Sequence, residues 1–190
     1  MRPGPEREAM RQSKPASAQD PNLRRFIRDV PDFPKPGIVF RDVTPLLADP
    51  TAFRAAVDAL AAPFRADRVD RVLGIESRGF ILGAPVALAL GAGLVIVRKA
   101  GKLPWRTVSA SYDLEYGTDT VEMHVDAVDP GQRVLVVDDL IATGGTAAAA
   151  VRLAHEAKAE VVGCAFLIEL TALGGRERLG VERTHVVLEY

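Results

Sequence analysis

Two adjacent carboxylates and a loop of small residues follow an apolar stretch at residues 134–137. Asp138 and Asp139 come first, and the loop then contains Ala142, Thr143, Gly144, Gly145 and Thr146. Glycines let successive backbone N–H groups point into a concave loop, and the N-terminus of a following helix adds partial positive charge. Such a loop suits a phosphate monoester, whereas paired carboxylates accept hydrogen bonds from sugar hydroxyls. Together the two features predict a site for a ribose 5-phosphate.

The spacing within this segment excludes two other phosphate-binding loops. No Gly-Lys-Ser/Thr follows the glycines, so the segment is not a P-loop. The G-x-G-x-x-G spacing of dinucleotide-binding proteins is absent as well. A simpler alternative stays open, in which the segment is a glycine-rich turn capped by aspartate.

Apolar runs and helical patterns alternate along the chain around this segment. The apolar runs predict buried strands at residues 71–76, 94–97, 134–137, 161–167 and 184–188. Helical patterns lie between them, at residues 51–63, at residues 81–90 and from the loop to about residue 158. This alternation predicts an α/β fold with a mostly parallel central sheet flanked by helices. Ligands of such sheets bind beyond the carboxyl ends of the strands, where the carboxylate pair is expected.

Composition and charge limit the class of protein. The 190 residues are 48% hydrophobic and 26% charged with a net charge of −1, which is typical of a globular domain and unlike a general nucleic-acid binder. Residues 1–19 are rich in proline and charge, and they predict a disordered tail before a single domain at residues 20–190. One cysteine excludes an internal disulfide, and no apolar run is long enough for a membrane span. By elimination we expect a cytoplasmic location.

The segment VVDDLIATGGT at residues 136–146 resembles the phosphoribosyl pyrophosphate signature of type I phosphoribosyltransferases. Further stretches resemble the adenine-specific members of that family: FPKPGIVFRDVTPLL (33–47), ESRGF (76–80), RKAGKLP (98–104), SYDLEYG (111–117) and ELTALGGRE (169–177). The resemblance covers about residues 23–190. It implies the type I phosphoribosyltransferase fold, in which a small N-terminal hood and a mobile lid loop accompany the central sheet.

The resemblance implies a purine-salvage enzyme that transfers the 5-phosphoribosyl group of phosphoribosyl pyrophosphate to adenine, giving AMP and pyrophosphate. It further implies Mg²⁺ as the cofactor and a homodimer as the assembly. The loop at residues 142–146 would hold the 5′-phosphate, and Asp138 and Asp139 would face the ribose hydroxyls. No side chain is expected to bind the metal directly. Pyrophosphate and ribose would be its ligands, and Asp138 or Asp139 would contact it through a water molecule. A helix-capping pair of aspartates is the alternative.

Residues 76–79 resemble the pyrophosphate loop of the family, which often contains a cis peptide bond that does not precede proline. The backbone at Ser77 and the guanidinium of Arg78 would grip the leaving group. A plain surface arginine is the alternative for Arg78. A cluster of three cations, Arg98, Lys99 and Lys102, follows the next predicted strand. If a polyanion binds beside this cluster, the cations are also expected to bind pyrophosphate, with Arg98 and Lys102 favoured over Lys99. A solvated basic turn would have the same composition.

The lid of the family corresponds to residues 103–117. Glu115 matches the lid carboxylate that handles the proton at adenine N7, and Tyr116 matches a neighbouring lid tyrosine. With Arg78 and Lys102, Glu115 forms the expected catalytic set. Trp105 and Arg106 stand where many relatives have glycine or proline, so the open geometry of the lid is not implied. An exposed hairpin is the alternative.

Base recognition is expected from the backbone near Val39 and Arg41, with Phe40 and Leu140 as walls of the pocket. A carbonyl that accepts from N6–H₂ and an N–H that donates to N1 favour adenine, because a 6-oxo purine reverses that pattern.

Two other functions stay open. One is the same reaction on hypoxanthine or xanthine, and the other is a regulator that senses phosphoribosyl pyrophosphate on the same fold.

Overall fold

The computed structural model describes residues 22–113 and 117–190. The expected tail at residues 1–19 and the lid residues Glu115 and Tyr116 lie outside the described residues, and the domain boundary stays a prediction. The strands are β1 (Arg28–Pro31), β2 (Val39–Asp42), β3 (Arg71–Ile75), β4 (Gly93–Lys99), β5 (Thr107–Asp113), β6 (Thr118–His124), β7 (Arg133–Ile141), β8 (Glu160–Glu169) and β9 (Thr184–Glu189). The α-helices are α1 (Thr44–Ala48), α2 (Pro50–Ala61), α3 (Arg78–Leu90) and α4 (Gly145–Glu156).

The central sheet follows the order β5-β6-β4-β3-β7-β8-β9. Strands β4, β3, β7, β8 and β9 pair in parallel, and the β5–β6 hairpin adds an antiparallel edge. Side chains alternate along β7, so Val134 and Val136 face one buried apolar cluster while Leu135 and Val137 face another. Both faces of the parallel strands are therefore covered, which explains their continuous apolar sequences. The predicted α/β fold is confirmed.

Strand β7 is longer than the apolar run predicts. The sequence suggests an end before Asp138, but pairing with β8 continues through Asp138, Leu140 and Ile141. The extra length comes from main-chain hydrogen bonds, which do not depend on apolar side chains. The carboxylate pair consequently lies within the last residues of this central strand rather than in the loop beyond it.

Helix α3 packs very closely on the sheet at Gly79. A Cβ at Gly79 would lie 2.9 Å from the Val137 carbonyl oxygen and 2.8 Å from Asp138 Oδ1, which leaves no room for any side chain. On the next turn, a Cβ at Gly83 would lie 3.3 Å from the Cα of Gly74 in β3. Because the helix can approach this closely, its first residues lie beside the carboxylate pair of β7.

A small N-terminal unit forms the expected hood, which we define as the 3₁₀ turn Leu23–Phe26 together with strands β1 and β2. The two strands pair antiparallel and form a sheet of their own. The 3₁₀ turn is short because the chain enters β1 at Arg28. Leu23 is buried and anchors the hood to the second apolar cluster.

Two further findings concern the cysteine and membranes. Cys164 lies on β8 with no exposed surface, and burial raises the pKa of its thiol to about 12, which makes it an inert core residue. Among the residues that the structure describes, no helix is long and apolar enough to cross a membrane.

Candidate active site

A cavity of about 450 Å³ lies at the carboxyl ends of β3 and β7. It brings together two loops that are more than 50 residues apart in sequence, the β3–α3 loop and the β7–α4 loop. Of the residues expected at the site, those on its wall are Ser77, Arg78, Asp138, Asp139, Leu140, Ala142, Thr143, Gly144, Gly145 and Thr146. Such an opening between strand ends is the usual ligand position in an open α/β sheet.

The β7–α4 loop forms the concave end of this cavity. Gly144 has φ +80°, a left-handed conformation that turns the chain into α4. Ala148 N–H donates to the Gly144 carbonyl at 2.9 Å and closes the first turn of the helix. The 12 residues of α4 direct the positive end of the helix dipole at the loop. This geometry suits a phosphate, as the glycine pattern predicts.

Gly175 packs against the back of the same loop. A Cβ at Gly175 would overlap the carbonyl oxygen of Ala142 and would lie 2.8 Å from the Gly144 nitrogen. Only glycine therefore fits at position 175 without displacing the loop. Resemblance alone singles out residues 169–177, and the structure gives a physical reason, since Gly175 supports the shape of the β7–α4 loop from behind.

The carboxylate pair lies on the floor of the cavity. The backbone N–H of Asp139 donates to Asp138 Oδ1 at 2.8 Å, which fixes the first carboxylate relative to the second. Burial and the adjacent charge of Asp139 raise the pKa of Asp138 well above its usual range. Asp139 is 6% exposed and pairs with Arg78, whose Nε lies 2.5 Å from Oδ2. Arg78 therefore offsets the charge of Asp139, while burial and that neighbouring charge favour the protonated form of Asp138.

The β3–α3 loop contains the expected cis peptide bond, between Glu76 and Ser77. Glu76 also lines the cavity and binds several donors from the β4 end. Lys102 Nζ lies 2.6 Å from Oε1, Arg98 Nε 3.3 Å from Oε2, and the Lys99 backbone N–H 3.0 Å from Oε2. Although burial opposes ionisation, these contacts lower the pKa of Glu76 to about 2. Glu76 therefore organises the cationic segment beside the cavity.

Lys99, rather than Arg98 or Lys102, lines the cavity. Its Nζ lies 3.0 Å from Asp119 Oδ2, and the Tyr112 hydroxyl donates to the same oxygen at 3.2 Å. The Asp119 contact raises the pKa of Lys99, so the ammonium stays charged at neutral pH. Tyr112 and Asp119 are cross-strand partners on β5 and β6, on either side of the lid residues. Sequence reasoning did not assign either of them.

A hairpin register could have located this pair. If the turn is centred on residues 115 and 116, antiparallel pairing places 112 opposite 119. Alternation along β4 could also have predicted that only one of Arg98 and Lys99 faces the cavity, since neighbouring side chains of a strand point to opposite faces of the sheet. The contacts to Glu76 span 22 to 26 residues, so no local pattern reports them.

The hood residues expected at the base site lie beside the cavity rather than on its wall. Phe40 approaches Arg78, with the guanidinium carbon 5.3 Å from the ring centroid. Phe33 packs edge-on against Phe40 at 5.3 Å between centroids. Val39 and Arg41 flank Phe40 on β2, and Leu140 reaches the cavity from β7. Arg78 therefore links the hood to the carboxylate pair.

Comparison with known proteins agrees with this geometry. Residues 45–187 match the Phosphoribosyl transferase domain family. The adenine phosphoribosyltransferase of Acidothermus cellulolyticus is 65% identical over 153 residues, which cover 80% of this chain and 86% of the relative. The crystal structure of the enzyme from Rhodothermus marinus is 58% identical with a TM-score of 0.85, covering 88% of this chain and 96% of that chain. The Saccharomyces cerevisiae enzyme, solved with an imino-altritol bisphosphate and adenine, is 42% identical with a TM-score of 0.80, covering 89% of this chain and 96% of that chain.

The sheet, the hood and the phosphate loop beside a carboxylate pair define a type I phosphoribosyltransferase. At these identities and over this length, the chain belongs to the adenine phosphoribosyltransferase family.

Proposed function

We propose that this chain transfers the 5-phosphoribosyl group of phosphoribosyl pyrophosphate to adenine, giving AMP and pyrophosphate in purine salvage. The observation that carries the proposal is the single cavity in which a phosphate loop, a carboxylate pair and the Ser77–Arg78 loop meet. These three features match the three parts of the donor, which are the 5′-phosphate, the ribose diol and the pyrophosphate. Catalysis then consists mainly of orienting the two substrates and neutralising charge on the leaving group.

The 5′-phosphate is assigned to the loop at residues 142–146. Backbone N–H groups at the start of α4 and the hydroxyls of Thr143 and Thr146 are the donors, and the helix dipole favours the anion. The ribose hydroxyls are assigned to Asp138 and Asp139, which are their acceptors. Negative charge next to the sugar also stabilises the positive charge that develops at C1 as the leaving group departs.

The pyrophosphate is assigned to the backbone at Ser77 and the side chain of Arg78, both on the wall of the cavity. Lys99, which also lines the cavity, adds a third donor. Arg98 and Lys102 are proposed to add positive charge beside the leaving group, because both contact Glu76 at the rim. A planar guanidinium such as that of Arg78 is well matched to paired phosphate oxygens.

The residues present fit Mg²⁺ carried by the substrate. In the part of the chain that the structure describes, no group of three or more His, Cys, Asp or Glu side chains could hold a metal. Mg²⁺ is usually bound through one or two carboxylates together with substrate phosphates, and Asp138 and Asp139 supply those carboxylates. When bound, the ion would neutralise charge on the pyrophosphate.

Adenine is assigned to the β2 backbone at Val39 and Arg41, between Phe40 and Leu140. Glu115 is proposed to take the proton from adenine N7 while N9 attacks C1, and Tyr116 to complete the closed lid. Both residues lie outside the described residues, but β5 ends before them at Asp113, β6 begins after them at Thr118, and Tyr112 and Asp119 of these strands line the cavity. Closure would exclude water, which could otherwise capture the sugar cation.

Homodimer formation is also proposed. Large apolar side chains are exposed on one face of α3, where Ile81 and Leu88 are seven residues apart, and on neighbouring β4, at Leu94 and Ile96. Light scattering on the Leu88→Glu variant should report a monomer. Leu173→Glu, at a separate exposed leucine, is the matched control.

The cytoplasmic location stays a prediction, which cell fractionation would test.

The proposed reaction is tested by incubating the protein with phosphoribosyl pyrophosphate, Mg²⁺ and adenine, then resolving the products. AMP and pyrophosphate in equal amounts are expected. Binding of phosphoribosyl pyrophosphate without any product would favour a regulator that senses this ligand instead.

A further inference from the structure

The hood has no main-chain pairing with the central sheet among the described residues, since β1 and β2 form a separate two-stranded sheet. Its position therefore depends on side-chain contacts. One of these contacts involves Tyr190, which follows directly after β9 and lies far in sequence from the hood. The contact matters because β2 carries the backbone assigned to adenine.

Tyr190 contacts two guanidinium groups of the hood. The Cζ atom of Arg24, on the 3₁₀ turn, lies 4.1 Å from the ring centroid, and the Cζ atom of Arg41, on β2, lies 4.2 Å from it. Both distances are well within the range of a cation–π interaction. Burial raises the pKa of the Tyr190 phenol, so the ring is neutral at pH 7 and keeps its affinity for cations.

The Arg41 side chain has few other partners. It pairs with Asp29 on β1, a neighbour within the hood, and its Nε is buried without a hydrogen bond. The Asp29 contact cannot fix the hood relative to the central sheet, because both residues belong to the hood. Tyr190 supplies the contact that reaches the sheet.

The main chain of Tyr190 is held firmly by the end of β8. Its N–H donates to the Glu169 carbonyl at 2.9 Å, and its carbonyl accepts from Thr171 N and Thr171 Oγ1, each at 2.9 Å. The next residue of that segment, Leu170, donates its N–H to the carbonyl of Ile141, which lines the cavity, at 2.9 Å. A continuous path of short contacts therefore joins the ribose-phosphate site to Arg41.

We propose that Tyr190 is a positioning residue for the purine: it sets the position of β2 relative to the phosphate loop, and thereby the position of the base relative to ribose C1. This inference rests on the proposed function, which assigns adenine to the β2 backbone. Loss of the ring would let the hood shift while leaving the phosphate loop and the carboxylate pair in place.

The test measures steady-state kinetics for both substrates in Tyr190→Leu and Tyr190→Phe. Leucine keeps apolar volume but has no aromatic ring, whereas phenylalanine keeps the ring and loses only the hydroxyl. Tyr190→Leu should raise KM for adenine about tenfold and leave KM for phosphoribosyl pyrophosphate within about twofold. Tyr190→Phe should stay within about twofold of the unmodified protein for both substrates.

A second variant and a control make the outcome specific. Arg24→Gln removes one cation from the ring, together with the hydrogen bond that its guanidinium donates to the Glu189 carbonyl, and leaves the Tyr190 and β2 sequences unchanged. It should raise KM for adenine by a few-fold without raising KM for phosphoribosyl pyrophosphate, and it gives a result even if Tyr190→Leu does not fold. Val186→Ala, on the same strand, removes apolar packing against the first cluster and controls for a general loss of stability.

Equal rises in both KM values, no change in either, or the same selective rise in Val186→Ala would each overturn the positioning role. The unmodified protein is measured alongside. If it made no AMP, the proposed function itself would fail, which is distinct from a failure of the Tyr190 inference in an active enzyme.

Discussion

Arg78 and Asp139 form an ion pair across the cavity, with Nε 2.5 Å from Oδ2. The carboxylate side chain is 8% exposed and the guanidinium 39% exposed, so the arginine is the partner that solvent and substrate can reach. In the proposed reaction, an incoming pyrophosphate would therefore compete with Asp139 for Arg78. The exchange would release Asp139 to a ribose hydroxyl at the moment the leaving group is bound.

This pairing makes Arg78 the first residue to test. Arg78→Ala should raise KM for phosphoribosyl pyrophosphate on the order of 10- to 100-fold, because charge-assisted hydrogen bonds to the leaving group are lost. Arg78→Lys should recover only part of the loss, since an ammonium lacks the planar pair of donors. Steady-state kinetics measure both, and Arg65→Ala, at a surface pair with Asp58, is the control. An unchanged KM in Arg78→Ala would remove Arg78 from the donor site.

Glu76 should contribute stability that depends on pH. Its pKa is about 2 in the folded chain and close to 4.5 when unfolded, so the contribution is fully present above about pH 4.5 and is lost as pH falls toward 2. Glu76→Gln should lower the free energy of unfolding by about 1–3 kcal/mol at pH 7, because three donors lose a charged acceptor. Urea unfolding at pH 7, 5 and 3.5 should show the difference shrinking only at the lowest pH.

The control for Glu76 is Glu160→Gln, at an exposed pair with Arg133 whose loss should cost little. A pH-independent difference between Glu76→Gln and the unmodified chain would contradict the assigned role of the carboxylate charge.

Gly175 should be required for the shape of the phosphate loop. Gly175→Ala places a Cβ against the carbonyl of Ala142, and relieving that overlap must move the loop. Affinity for phosphoribosyl pyrophosphate should fall about 5- to 100-fold, measured by calorimetry. Gly180→Ala is the matched control, since its φ of +63° strains an alanine but its Cβ would meet open space. Equal affinities in the two variants would show that the loop does not depend on its support.

Glu115 is expected to act on the proton rather than on binding. Glu115→Gln should lower kcat by about 10²- to 10⁴-fold, the usual contribution of a general base. Affinity for phosphoribosyl pyrophosphate should stay within about twofold, because the assigned donor site contains no part of the lid. Rapid-quench kinetics and calorimetry separate the two effects, with the exposed Glu182→Gln as control. A normal kcat would exclude Glu115 from proton transfer.

The local part of this site could be predicted from the sequence. The strand, carboxylates, glycine loop and helix around residues 134–146 form one continuous segment, and each obeys local rules of burial, turn geometry and helix initiation. The cis bond at Glu76 and the hood followed from resemblance.

The contacts between distant segments depend on tertiary packing and could not be predicted from local patterns. Whether Lys99 or Lys102 faces the cavity depends on the register of β4 and on a carboxylate 23 residues earlier. The support that Gly175 gives to Ala142 joins segments over 30 residues apart, and Tyr190 reaches Arg41 across nearly the whole domain. Each is a consequence of strand order, which no local pattern contains.

The most direct test of the account is a comparison of four bases under identical conditions. The protein is incubated with phosphoribosyl pyrophosphate, Mg²⁺ and adenine, hypoxanthine, guanine or xanthine, and kcat/KM is measured from the nucleotide formed. We predict AMP from adenine and at least about 10³-fold lower values for the 6-oxo purines, because their N1–H and O6 would leave backbone groups unpaired. Comparable or greater formation of a 6-oxo nucleotide would contradict backbone recognition of adenine by β2.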